Sequence, residues 1–329
     1  MSDLLRWSDV RSWMSERLEM RRHVWSLLGD LPPLFTPELT IDHTTPHEDC
    51  LIHHFAFDNG AGAQVYGLLL IPHKLQQPAP AMLVNHVHGH RYALGKNQLI
   101  TPHHLHGHAD GIELARRGFV VMGIDAYAFG ERTHQGPAGE REHGADTEMS
   151  LFKQFLWQGR TLWGMMVRDD LLAFSALLAR PEVNPERVGV TGMSMGGSRS
   201  TWLAAMDDRV QLTIVVSQMT RYADLLAVGG LNLHSIYYYV PAMLASRIDM
   251  EHLVALAAPR RQVILTGDSD PSSPIEGITT IQKYATEVYG LYHTAAHLEW
   301  HIYPGVTHSY TPEMHNTMIE SAVRYLARR

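Results

Sequence analysis

Apolar positions along this chain fall into two rhythms, and the rhythms alternate. Short apolar or β-branched runs occur at residues 81–85, 119–124, 188–191, 209–216, 262–266 and 298–303. Runs of this length read as strands, and the near-continuous ones as strands buried on both faces. Between them, helical spacing marks residues 109–117, 165–180, 198–205, 249–257, 275–289 and 312–327. Gly118 and Pro181 stand where two of these helices should stop. Earlier, residues 51–57 run into Asp58-Asn59-Gly60 and return along 65–71, a strand-turn-strand pattern. Strands alternating with helices predict an α/β fold around a mostly parallel sheet.

At the start, Leu5, Trp13, Leu18, Val24, Trp25 and Leu28 space residues 3–28 as one amphipathic helix, ended by Gly29 and Pro32-Pro33. It is expected to pack on the domain or on a second subunit. Two stretches, 126–164 and 217–248, break the strand-helix rhythm. Ordinary loops are polar, yet these carry Tyr127, Phe129, Phe152, Phe155, Trp157, Trp163, Tyr222 and Tyr237-Tyr238-Tyr239. Such a concentration implies burial. They are expected to be lid insertions in a single domain spanning 1–329, with 1–45 as an N-terminal extension. Tyr127, Phe129, Tyr237 and Tyr238 are expected to wall a substrate pocket, and part of 150–163, Trp157 included, to form a subunit interface.

Composition narrows the class. The chain has 329 residues, 45% hydrophobic and 19% charged, which suits one large α/β domain. A net charge of -7 leaves no basic footprint for nucleic acid. Cys50 is the only cysteine, which excludes an intrachain disulfide and a cysteine-based zinc site. The charged start lacks the apolar core of a signal peptide, and no apolar run is long enough to span a membrane. A soluble, cytoplasmic protein is expected, acting on a small molecule, with no nucleic-acid or membrane partner and with room for a homo-oligomer.

The chemistry centres on Gly192-Met193-Ser194-Met195-Gly196, a G-x-S-x-G between a buried strand and a helix. That context makes it a nucleophile elbow. The serine must sit on a strained turn so that its hydroxyl projects above the sheet, and the flanking glycines leave room for the turn. The helix that follows points its free N–H groups at the reacting centre, so the N–H of Met195 is placed to donate to an oxyanion. In such sheets functional groups gather at the carboxyl ends of strands. Two later strand ends carry partners: Gly267-Asp268-Ser269-Asp270 and Pro304-Gly305-Val306-Thr307-His308. The order Ser, Asp, His is that of the α/β-hydrolases. Asp270 is preferred as the acid from its place in the loop. Asp268, nearer the strand, is the alternative, or else caps the turn.

Five segments carry a resemblance: HGH at 88–90, GIDAYAFGER at 123–132, RPEVNPERVGVTGMSMGG at 180–197, AAPRRQVILTGDSD at 257–270 and YPGVTHSY at 303–310. On these the chain resembles the dienelactone-hydrolase-related branch of the α/β-hydrolases, close to acetyl-xylan-esterase-like members. The resemblance implies an α/β-hydrolase fold, Ser194 as nucleophile, Asp270 as acid and His308 as base. It also implies the N–H of His90 as a second oxyanion donor beside Met195, and no cofactor. The chain departs in carrying Arg261 where relatives commonly have Pro, at a strand entry away from these residues.

Of 22 histidines, two clusters look like metal ligands: His86, His88 and His90, and then His103, His104, His106 and His108 with Asp110. The first fails the H-x-H-x-D-H of metallo-hydrolases, since Asp is absent. No metal is expected; His86 and His88 are instead expected to hydrogen-bond loops around the oxyanion hole. A serine carboxylesterase acting on small or medium esters is the leading reading. A serine peptidase of the dipeptidyl-peptidase-like type is the alternative, and a metal-dependent hydrolase the more distant one.

Overall fold

In a sheet covered by helices on both sides, every strand residue meets a core, so the period-two alternation of a half-buried strand disappears. That is the arrangement seen in a computed structural model that describes residues 7–75 and 78–327. Among the described residues there are nine strands: β1 Thr40–Pro46, β2 Cys50–Asp58, β3 Gln64–Pro72, β4 Ala79–Asn85, β5 Val120–Ile124, β6 Val183–Met193, β7 Leu212–Val216, β8 Arg261–Gly267 and β9 Leu298–Tyr303. They form one sheet in the order β1-β2-β3-β5-β4-β6-β7-β8-β9. The three strands β1 to β3 are antiparallel, and every pairing from β5 to β9 is parallel. The mostly parallel sheet is the one that the strand-helix alternation predicts, and the fold is the α/β-hydrolase fold that the resemblance implies.

Among the described residues nine α-helices flank it: α1 Val10–Leu27, α2 Asp110–Arg116, α3 Ala145–Trp157, α4 Leu162–Leu178, α5 Met195–Met206, α6 Tyr222–Ala227, α7 Met250–Leu256, α8 Ile275–Leu291 and α9 Pro312–Ala322. Alternate strand residues feed separate cores. Ala81, Leu83 and Val215 join the core under α1, α4, α5, α7 and α8, while Met82, Val84, Ile214 and Val216 join the one under α2 and α9. The chain leaves β4 for β5 on one side and reaches β6 on the other. That reversal opens a crevice at the carboxyl ends of β4 and β6, where ligands bind in such sheets.

The structure adds one strand and alters one expectation. The edge strand β1 goes unread from the sequence because all its residues are exposed and carry no hydrophobic pattern. The segment 126–164 is not irregular throughout: α3 occupies part of it, with Leu151 and Phe155 buried against the same chain. Trp157, at the end of α3, stands 92% exposed. At the other end, α1 packs on its own chain. Trp13 and Val24 are fully buried, and Arg17 and Arg21 both pair with Asp208. Residues 3–6 of that predicted helix lie outside the described residues.

Behind the crevice, α4 and α5 are joined by a bidentate pair, Arg199 Nε to Asp170 Oδ2 at 2.9 Å and Arg199 Nη2 to Asp170 Oδ1 at 2.5 Å. Both side chains are fully buried. Asp170→Ala leaves the guanidinium as an unpaired buried charge and is expected to lower unfolding free energy by about 3–5 kcal/mol. Urea unfolding followed by circular dichroism checks this. A loss under ~0.5 kcal/mol, the range of a surface change, would remove the pair from the supports of the crevice.

Candidate active site

The turn from β6 into α5 is held open by what is missing at two positions. A Cβ on Gly192 would lie 2.5 Å, and one on Gly196 2.1 Å, from the carbonyl oxygen of Asn85 at the end of β4. Only glycine lets the turn sit this close to the neighbouring strand. Between them Ser194 adopts φ 54° and ψ -119°, a backbone state that costs on the order of 1–3 kcal/mol. Its N–H donates to Val216 at 2.9 Å and its carbonyl accepts from Ser198 at 2.9 Å, so the strain is held from both sides. Met195 is the first residue of α5, and its N–H is among those with no acceptor within the helix.

The loops after β8 and β9 run side by side because Gly267 pairs with Tyr303 at the strand ends. They bring His308 Nε2 to 2.9 Å from Ser194 Oγ, and His308 Nδ1 to 2.7 Å from Asp270 Oδ2. Asp270 is buried, and its second oxygen accepts from the Ser272 N–H at 2.8 Å. A carboxylate at Nδ1 keeps the proton on that nitrogen and leaves the Nε2 lone pair facing the serine. Asp268 does something else: it accepts from the Gly305 N–H at 2.7 Å and the Ser269 hydroxyl at 2.9 Å. It caps the turn and touches neither Ser194 nor His308.

The histidines of 86–90 are used up by loops. His86 is buried; its Nδ1 reaches the Val87 carbonyl at 3.0 Å, and its Nε2 accepts from the Ala126 N–H at 3.0 Å. His88 Nε2 donates to Glu148, 3.2 Å away, and its Nδ1 accepts from the His90 N–H at 3.2 Å. In this structure the N–H of His90, expected as a second oxyanion donor, is taken by His88, so donating to a ligand requires that bond to open. Glu148, on α3, also accepts from Tyr92 at 2.6 Å and Ser235 at 2.7 Å. Burial pushes its carboxyl up, but the bonds from His88, Tyr92 and Ser235 outweigh this and hold it below its ordinary value. Neither Glu148 nor His234, which bonds the Ser272 carbonyl at 3.0 Å, carries a sequence signal. Their partners are distant in the chain and belong to no motif.

A cleft of about 360 Å³ opens at Ser194 and His308, lined by Val87, Gly89, Arg91, Gln98, Thr101, Leu105 and residues beside them. The four predicted wall aromatics are not in it. Tyr127 is buried under Arg132 and bonds Asn59; Phe129 is fully buried against His86, His88 and Tyr92. Tyr237 stacks on His88 at 5.2 Å, and Tyr238 lines a separate apolar cavity of about 310 Å³ with Tyr222 and Tyr239. The aromatic insertions therefore back the loops of the site instead of facing the cleft. Burial holds for Tyr127, Phe129, Phe155, Trp163, Tyr237 and Tyr238 but fails for Trp157, and composition did not tell which side of a loop is buried.

A sequence model of the Dienelactone hydrolase family matches residues 106–327. The chain belongs to this family. Like other members it is a hydrolase by descent, and its relatives agree on the scaffold. A Bacillus subtilis (strain 168) protein named only as a hydrolase, YtaP, is 34% identical over 277 residues, covering 83% of this chain and 88% of its own. Among solved structures, a glucuronoyl esterase from Solibacter usitatus superposes with a TM-score of 0.71 at 15% identity, covering 96% of this chain and 93% of the other. Methylesterase BT1017 superposes with a TM-score of 0.70 at 18% identity over 97% of this chain, which spans 65% of the length of that protein. At such identities the two structures speak for the fold alone.

His86 yields a pH prediction for this dienelactone-hydrolase-family site. Burial, then the nearby Arg199 charge, holds its ring well below the ordinary value of 6.5. Just below that value the unfolded chain takes up a proton that the folded chain refuses. The contribution is thus complete above about pH 6.5 and is lost progressively as pH falls below it. His86→Gln, which can still accept from Ala126, is expected to flatten the acid side of a plot of urea midpoint against pH. An unchanged slope would mean that His86 charges freely in the folded state.

Proposed function

We propose that the chain is a serine carboxylic-ester hydrolase working through an acyl-enzyme. The observation that carries the reading is the line Asp270 Oδ2, His308, Ser194 Oγ, with contacts of 2.7 and 2.9 Å. Ser194 Oγ attacks the ester carbonyl while His308 Nε2 takes its proton. The Met195 N–H faces the charge that develops on the carbonyl oxygen, and the loop through Val87 and Gly89 borders the same space. His308 then gives the proton to the leaving alcohol. Water, deprotonated by His308, releases the acid from Ser194. Asp270 holds the imidazole tautomer throughout and balances the imidazolium.

The cleft suggests the substrate class. Arg91, Gln98, Thr101, His103 and His104 put hydrogen-bonding groups around the serine, with Val87, Leu94, Leu105 and Met193 as the apolar part. This mixture favours a small ester with a polar, hydroxyl-rich alcohol over a long-chain lipid.

Ser194→Ala is expected to lower kcat by about 10⁴-fold or more, because nucleophile, base and acid act as a unit. Asp270→Asn should lower kcat strongly with the fold intact, and Asp268→Asn should be far milder. Retention of a tenth of the wild-type rate by Ser194→Ala would end the reading, and the reverse order of the two aspartates would move the acid. p-Nitrophenyl acetate and butyrate run beside an aminoacyl-p-nitroanilide separate esterase from peptidase; faster turnover of the anilide would favour the peptidase.

The cleft supplies a further test. Leu105→Trp, at its rim, is expected to shift preference toward shorter acyl chains, whereas Phe129→Ala should reduce thermal stability and leave the acyl-length profile unchanged. Kinetics on an acyl series beside thermal melts distinguish these outcomes. A changed profile in Phe129→Ala alone would restore the aromatic wall.

A further inference from the structure

The loop that walls the cleft through His103, His104 and Leu105 continues into α2, and beyond the wall its side chains turn inward. His106 is 7% exposed, and His315, in the first turn of α9, is 3% exposed. Asp110, the first residue of α2, stands between them: its Oδ1 is 3.8 Å from His106 Nε2 and 3.4 Å from His315 Nε2. The three ligand atoms lie within 4.8 Å of one another. None of the three has a hydrogen-bond partner among the described residues. The rings of His106 and His315 stack at 4.4 Å, so both are packed in place. Burying three strong donors and acceptors unpaired is costly, and buried polar groups are otherwise almost always satisfied.

We propose that His106, Asp110 and His315 form a binding site for a divalent transition-metal ion of the zinc type. Two imidazole nitrogens and one carboxylate oxygen suit Zn²⁺ and its neighbours, whereas Mg²⁺ and Ca²⁺ ask for oxygen donors throughout. Ligand atoms about 2.0–2.1 Å from a tetrahedral zinc stand roughly 3.3–3.4 Å from each other. The observed separations are close enough for small side-chain rotations to complete the site. The fourth position falls to water or to His108, whose ring stacks on His315 at 4.7 Å. One contact must give way. His106 Nδ1 accepts a long 3.3 Å bond from the His108 N–H, and a metal on Nε2 requires a proton on Nδ1, so loading shifts this turn. The ion would tie the cleft wall to α9, the helix that follows the His308 loop. The site thereby joins the cleft-wall loop to α9 without supplying a group to the ester chemistry. The sequence alone argues against it, because His315 lies far along the chain from the clustered histidines and completes no spacing motif.

The test uses the full chain without a polyhistidine tag, stripped with a chelator and titrated with Zn²⁺ by calorimetry and with Co²⁺ by visible absorption. One ion per chain is expected, with Kd below about 1 µM, an intense tetrahedral Co²⁺ spectrum and a raised Tm. His315→Ala and Asp110→Asn should each weaken binding by at least ~10-fold, on the scale that even outer-shell losses reach. His43→Ala, an exposed histidine outside the cluster, should bind as wild type does. No binding below about 1 mM, or equal affinity in the ligand variants, would overturn the assignment, as would an equal loss in His43→Ala. Should the ligand variants fail to fold, X-ray absorption of the zinc-loaded wild type decides. Imidazole and oxygen scatterers at ~2.0–2.1 Å support the site, and a shell without imidazole overturns it. These readouts are of binding, so they stand or fall separately from the esterase reading.

Discussion

Everything near Ser194 depends on how closely the end of β4 approaches the turn after β6. The Asn85 carbonyl occupies the space that a Cβ at either Gly192 or Gly196 would need. That contact allows the serine its left-handed backbone and lifts its hydroxyl out of the sheet. It also fixes the relation between the serine and the 86–90 loop, because both leave the same pair of adjacent strands. A backbone state that costs free energy persists only where the surroundings over-determine it. Here the Val216 carbonyl, the first turn of α5 and the Arg199–Asp170 pair behind it do so.

Around this centre the two insertions act as buttresses. Glu148 gathers bonds from His88, Tyr92 and Ser235, and so joins α3, the 88–92 loop and the second insertion at one buried carboxylate. His234 and Thr220 both bond the Ser272 carbonyl and steady the loop that carries Asp270. Tyr237 and Phe129 pack on the histidine rings of the same region. The aromatic richness of 126–164 and 217–248 thus serves the rigidity of the site. The cleft itself is lined from 87–105, a stretch of mixed polarity that gave no pocket signal of its own.

Much of this fold and part of its site were legible in the chain. Double-sided burial made β4, β5, β7 and β8 read as apolar runs, and periodicity placed α2, α4, α5, α7 and α8 near their observed ends, while α3 and α6 went unread. The G-x-S-x-G, its strand and its helix needed only local reading. The histidine at the end of β9 and the aspartates at the end of β8 followed from where strands finish. Choosing between Asp268 and Asp270 needed coordinates, because the two share one loop and only their bonding distinguishes them: one holds Gly305, the other His308.

What the sequence determined by itself, then, was what depends on near neighbours: strand and helix, a turn that demands glycine, and the order of chemical groups along the sheet edge. What only tertiary structure decided was which distant groups meet. Glu148 finds His88, His315 finds Asp110, and the buried aromatics back the histidine loop instead of facing the cleft. The physical reason is that periodicity records whether a side chain is buried, not against what. A hydrogen bond or a metal ligand set is fixed by distances of a few ångströms between segments whose spacing along the chain carries no trace of them.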